Sequence, residues 1–124
     1  MKQSIKTDAA SGAPGILSQA IEANGLVFVS GQIHNMTDGQ MVDGTVREKL
    51  AQIMANISAI LKAANLTLND IVKVTIYVTD MAQMPEFNQA YPTYFDQPLP
   101  AREAVCVKEL PLGATIEISV IASR

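Results

Sequence analysis

Residues 45–65 read TVREKLAQIMANISAILKAAN and residues 71–78 read IVKVTIYV. The change of apolar period between these two stretches decides the fold. In the first, Val46, Leu50, Ile53, Met54, Ile57, Ile60, Leu61 and Ala64 recur at three- and four-residue spacings, the stripe of a helix with one buried face. Thr45 and Glu48 stand in the relation of a capping box, each side chain able to satisfy a first-turn amide. The spacing predicts a helix from about Thr45 to Asn65. In the second stretch the period drops to two and the residues are β-branched, which predicts a strand. Val72, Val74, Ile76 and Val78 share one face; Lys73, Thr75 and Tyr77 share the other.

The elements on either side follow from turn and capping signals. A second helix is expected after a cap at Thr79 or Asp80, with Phe87, Tyr91, Tyr94 and Phe95 on one side. Pro92 should kink or shorten it, because proline lacks the amide and crowds the preceding turn. Two further strands, Arg102–Lys108 and Thr115–Ala122, are expected as a hairpin joined by Leu110-Pro111-Leu112-Gly113. Upstream, strands over Ser18–Ala23 and Leu26–Ser30 meet at Asn24-Gly25, a strong hairpin signal, with a short extra strand near Gln3–Lys6. The order β-β-α-β-α-β-β implies one α+β domain over residues 1–124, one sheet with two helices on one face. By parity the other face carries Thr75, Tyr77, Thr115, Glu117, Ser119 and Ile121, with Arg102, Ala104 and Cys106 from the neighbouring strand. That mixture is too apolar for a solvated face and too polar for a private core, and it suits a surface covered by another subunit.

Composition excludes several functions. The chain has 124 residues, 9 Lys+Arg against 12 Asp+Glu, and no basic run, so it lacks the clustered cations of a nucleic-acid groove. One His and one Cys are too few for a structural zinc site of Cys/His type or a disulfide within the chain. No apolar run reaches membrane-spanning length, and the first residues, Met1-Lys2-Gln3-Ser4, do not lead into a signal sequence. The expectation is a cytoplasmic domain with no metal, no cofactor and no membrane or nucleic-acid partner.

Gly-rich phosphate loops, HExxH, CxxC and G-x-S-x-G are all missing. A Ser-His-Asp triad could use only His34, which reads as a solvated residue at a strand exit. Cys106, between Val105 and Val107, reads as a small buried hydrophobe. Arg102 and Glu117 are the residues with most chemical promise. One reading is a structural ion pair. The other follows from a symmetric hairpin, which offsets the two by about 13 Å at roughly 3.3 Å per residue and leaves room for a small molecule between them. An arginine fork suits a carboxylate, and a nearby carboxylate can hold or deprotonate water.

Val29-Ser30-Gly31-Gln32-Ile33, residues 71–80 (IVKVTIYVTD), Phe87-Asn88-Gln89-Ala90-Tyr91, Pro100-Ala101-Arg102 and Ile116-Glu117-Ile118 occur in that order. In combination they resemble the RidA/YjgF family over essentially the whole chain. The resemblance implies a chorismate-mutase-like fold and a homotrimer with a central barrel, helices outside and ligand clefts between subunits. It further implies a deaminase hydrolysing 2-iminobutanoate and 2-iminopropanoate, with their enamine tautomers, to 2-oxo acids and ammonia. Arg102 matches the arginine that grips the substrate carboxylate, and Glu117 the glutamate that positions water. Leu17, Ser30, Gly31, Phe87, Asn88 and Ala104 match substrate-binding positions. Two of them depart from the family pattern: Leu17 stands where a tyrosine is common, and Ala104 where a cysteine is. A non-catalytic 2-oxo-acid-binding trimer, or an RNA-directed activity, are the alternatives the resemblance leaves.

Overall fold

The computed structural model describes residues 1–124. The elements run β1 (Gln3–Ile5), β2 (Ala20–Ala23), β3 (Leu26–Ile33), α1 (Val46–Ala63), β4 (Ile71–Val78), α2 (Met84–Ala90), β5 (Ala101–Cys106) and β6 (Ile116–Ser123), with short 3₁₀ turns before and after α2. The expected capping box is present: Thr45 Oγ1 accepts from the Glu48 amide, and Glu48 Oε1 accepts from the Thr45 amide. Such a cap stabilises a helix by about 1 kcal/mol. Leu50, Ile53, Met54, Ile57, Ile60 and Leu61 form the buried face of α1. Asn24 and Gly25 both take positive φ, 54° and 77°, the geometry that lets a two-residue turn match the twist of β2 and β3. Pro92 does end α2, at Ala90, and the chain continues as a tighter turn over Tyr91–Tyr94.

Six strands form one mixed sheet in the order β1-β2-β3-β6-β4-β5. Only the β4–β5 pair is parallel. The two helices pack over one face, on a core that includes Val74, Ile76, Val78, Ile116, Ile118, Val120 and Phe87. The expected β5–β6 hairpin does not form: β6 inserts between β3 and β4, and β5 lies beyond β4 at the edge. Burial explains the placement. Every second residue of β6 (Ile116, Ile118, Val120 and Ala122) is buried, which only a central strand beneath both helices can achieve, whereas β5 is exposed at five of six positions.

Two assignments of side-chain direction change with this topology. Register pairs Val74 with Arg102, Ile76 with Ala104 and Val78 with Cys106. Directly paired residues share a face, so Arg102, Ala104 and Cys106 lie on the helix-bearing face and not with Glu117. The alternation expected across β4 also breaks at its start. A bulge between Ile71 and Lys73 buries Ile71 and leaves Val72 exposed.

His34 is buried, not solvated, and it is structural. Its Nδ1–H donates to the Val42 carbonyl at 2.8 Å, and Nε2 accepts from the Thr115 amide at 3.0 Å. An amide can only donate, so the ring is neutral and joins the loop after β3 to the entry of β6. Cys106, in contrast, is exposed on the edge strand.

Burial holds the His34 pKa below its ordinary value of 6.5, against a weaker opposing effect of the Val42 bond. The unfolded chain therefore takes up a proton that the folded chain resists. This contribution to stability is complete above pH 6.5 and is lost as the pH falls below it. Denaturant midpoints measured between pH 7.5 and 5 should decline more steeply for the wild-type protein than for His34→Gln, which keeps a donor and an acceptor but does not titrate.

Candidate active site

The sequence-predicted residues gather into two groups. Arg102, Asn88, Phe87 and Ala104 form the first. Phe87 on α2 and Tyr91 at the start of the tighter turn that follows it are four residues apart and buried, while Asn88 stands on the adjoining exposed surface of α2. Arg102 leaves the edge strand and lies over them. Its Nη2 donates to Asn88 Oδ1 at 2.8 Å, and its guanidinium carbon sits 4.9 Å from the Tyr91 ring centroid and 5.9 Å from that of Phe87. Arg102 has no acidic partner; the two ion pairs of the chain are Lys73–Glu103 and Arg124–Glu22. Phe87, expected against substrate, is fully buried and backs the arginine from beneath. Tyr91 is not among the site residues expected from the sequence, because its spacing along the expected second helix is that of an ordinary core position.

Glu117, Gly31, Ser30 and the loop bearing Leu17 form the second group. β3 bulges where Ser30 and Gly31 together oppose Ser119, since Val29 pairs with Val120 and Gln32 with Ile118. Bulges of this kind re-aim a strand beside a site. At Gly31 the missing Cβ leaves room for a close approach of Glu117. A Cβ at that position would lie 2.8 Å from Glu117 Cδ and closer still to its carboxylate oxygen. Ser30 anchors the loop, its hydroxyl donating to the Ser18 carbonyl at 2.6 Å and its amide to the Gln19 carbonyl at 2.9 Å. Buried Gln19 binds the Thr7 amide and the carbonyls of Thr7, Ala10 and Ser11. Beyond this anchor Ile16 and Leu17 are exposed.

Glu117 is half-buried, has no ion-pair partner, and is flanked in register by Ile33 and Tyr77. Desolvation raises its pKa above the ordinary carboxylate value. Such a group holds a proton more readily than a surface glutamate and suits water activation.

The two groups do not meet within one chain. Arg102 pairs opposite Val74, and Glu117 opposite Tyr77. Two strand spacings across and three residues along put their Cα atoms about 14 Å apart, with side chains on opposite faces. The structural ion pair that the sequence allowed is therefore absent.

A mixed six-stranded sheet backed by two helices, carrying an arginine without an acidic partner and a desolvated glutamate, defines a small α+β protein. The chain belongs to the RidA/YjgF/L-PSP (RutC) family: the family model described as Endoribonuclease L-PSP matches residues 7–124. It is 39% identical to a mouse 2-iminobutanoate/2-iminopropanoate deaminase, across 98% of this chain and 91% of that protein. The crystal structure of yeast Mmf1 superposes with a TM-score of 0.96 at 39% identity, covering 100% and 99% of the two chains. That of Escherichia coli TdcF with bound serine gives 0.91 at 33% identity, covering 98% of each.

Gly31→Ala is expected to push the Glu117 carboxylate away from the bulge and towards solvent. Carbon-13 NMR titration of the glutamate carboxyl groups should then show the Glu117 pKa falling towards the ordinary value.

Proposed function

We propose that the protein is a deaminase that hydrolyses short 2-imino acids, with their 2-enamino tautomers, to 2-oxo acids and ammonia, and that its sites form between copies in a homotrimer. The observation that carries this reading is Arg102. Its guanidinium is oriented by Asn88 and an aromatic bed, yet no acid neutralises it. A substrate carboxylate fits such a fork in bidentate geometry. The name of the mouse relative and the serine bound by TdcF support a small amino-acid-like ligand.

The chemistry needs little more. A protonated imine is already electrophilic at C2. Water held by Glu117 attacks that carbon as the carboxylate takes a proton from it, giving a tetrahedral carbinolamine. Glu117 returns that proton to the nitrogen, the C–N bond breaks to release ammonia as the hydroxyl oxygen becomes the carbonyl oxygen, and the hydroxyl proton passes by way of Glu117 to the ammonia. In balance, iminium plus water gives 2-oxo acid plus ammonium. Fixing the carboxylate at Arg102 places C2 against the water, and positioning of this kind removes much of the entropic barrier. On this reading Leu17 and Ala104, which stand where the family commonly has a tyrosine and a cysteine, give the pocket no polar side-chain atoms at those two positions. The RNA cleavage in the family model's description would need a cationic surface, and 9 Lys+Arg dispersed against 12 Asp+Glu do not supply one.

Because Arg102 and Glu117 point to opposite faces of one sheet, a complete site takes Arg102 from one copy and Glu117 from another. With a dehydratase generating 2-iminobutanoate and semicarbazide trapping what escapes, Arg102→Ala and Glu117→Gln should each lower kcat/KM at least about 100-fold, a size usual for transition-state contacts. Co-expressing the two variants should restore roughly a quarter of wild-type activity, since in a closed three-fold ring every mixed trimer regains one intact site. No recovery would refute the shared site. In the wild-type protein the acid limb of kcat/KM should lie above the ordinary carboxylate range, because Glu117 must be ionised and its pKa is raised. Light scattering should give about three times the 13.3 kDa chain mass.

A further inference from the structure

Arginines that bind anions are commonly steadied by an acidic side chain, which also neutralises part of the charge and occupies part of the fork. Arg102 is steadied differently. Only Nη2 is committed, to the neutral oxygen of Asn88, and the guanidinium carbon lies over the Tyr91 ring, 4.9 Å from its centroid. An aromatic face attracts a cation through its quadrupole and consumes none of the N–H donors. The remaining edge of the fork and the full positive charge stay available to a ligand.

Tyr91 is itself held rigidly. It is 3% exposed, stacked on Phe87 at 5.6 Å with a 21° interplanar angle, and tilted against Phe95 at 5.0 Å. Its hydroxyl is buried and has no hydrogen-bond partner within the chain. A buried hydroxyl without a partner is a burden on the fold, so what this side chain contributes lies in its ring.

We infer that Tyr91 is the positioning residue for carboxylate recognition, its ring face seating the Arg102 guanidinium in the orientation that receives the substrate carboxylate. The inference rests on the reading of Arg102 as the carboxylate grip, and it adds a specificity element. The protein should discriminate a 2-oxo or 2-imino acid from its neutral amide by an amount set by the electron density of the ring at position 91.

The test replaces Tyr91 by phenylalanine, by mono-, di- and trifluorophenylalanine, and by leucine. Two quantities are read: the affinity for 2-oxobutanoate and for 2-oxobutanamide by calorimetry, and KM and kcat for 2-iminobutanoate. The fluorinated series keeps ring size nearly constant while draining the quadrupole, so it stays informative even if Tyr91→Leu unfolds. Tyr91→Phe should leave affinity and KM within about twofold. Successive fluorines should weaken 2-oxobutanoate binding stepwise, to about tenfold for three, raising KM in parallel with kcat little changed and amide binding unaffected. A flat series at unchanged melting temperature, an equal loss for the amide, or a Tyr91→Phe loss as large as the leucine one would overturn the inference. Wild-type protein that binds 2-oxobutanoate without hydrolysing the imine would overturn the deaminase reading, while the binding series still decides the seat. Failure to bind 2-oxobutanoate at all would overturn both.

Discussion

The position of β6 is the constraint on which the rest of the molecule depends. Ile116, Ile118, Val120 and Ala122 are buried beneath the helices, and the strand is hydrogen-bonded to β3 on one side and β4 on the other. Burial on one face leaves no freedom in register, because slipping a strand by one residue turns its whole apolar set outward. With Ile116 and Ile118 fixed inward, Glu117 must point outward. With both flanks of β6 taken by β3 and β4, β5 is driven to the sheet edge beside β4. There its parallel register places Arg102 in the row of Val74, on the inward side. The separation of the two charged groups is thus a consequence of how the apolar residues are buried.

That separation leaves Arg102 and Glu117 outside the two ion pairs of the chain. Lys73 meets Glu103 at 2.9 Å and Arg124 meets Glu22 at 2.6 Å, and Arg124 also donates to the Ala64 carbonyl at the end of α1. Exposed pairs of this kind are screened by solvent and add little to stability, but they tie strands and termini together. Arg102 and Glu117 are spared such partners and are supported by neutral groups instead: an amide oxygen and aromatic rings for the arginine, a bulge and a missing Cβ for the glutamate. A half-buried carboxylate with no cation beside it is unfavourable to folding. Its place at a bulge, beside a glycine whose missing Cβ makes room for it, is a pattern that functional sites share.

The sequence made the local features legible and the long-range ones not. The capping box at Thr45, the Asn24-Gly25 turn and the shortening of α2 at Pro92 each depend on a few neighbouring residues, and all three are present. The β5–β6 hairpin failed because Leu110–Gly113 offers turn residues to any connection, while strand order is settled by which strand buries the most. Arg102 and Glu117 were found by their chemistry, but their opposite facing was hidden by the same mistaken hairpin. His34 and Cys106 exchanged roles for a related reason. Whether a residue near a strand end is buried depends on the loop folded over it, and the 34–45 segment that covers His34 has no periodic pattern to announce it. Val72 was misplaced by a single bulge, which alternation cannot reveal.

The division of the site also distributes rigidity. In one half the arginine is set by a helix turn and an edge strand; in the other the glutamate is set by the central strand and a bulge. Each half belongs to the hydrogen-bonded framework, and only the Ile16–Leu17 tip projects from a loop, fastened behind by Ser30 and Gln19. Precision within each half is therefore a property of the folded chain, whereas the distance between Arg102 and its complementary Glu117 is, on the proposed reading, a property of the interface. A change at the outer face, far from either charged group, would alter that distance without disturbing either half. On the same proposed reading, the apolar residues exposed on that face, Phe28 among them, would act on the reaction through geometry, since a shift of about 1 Å between positioning groups is enough to matter.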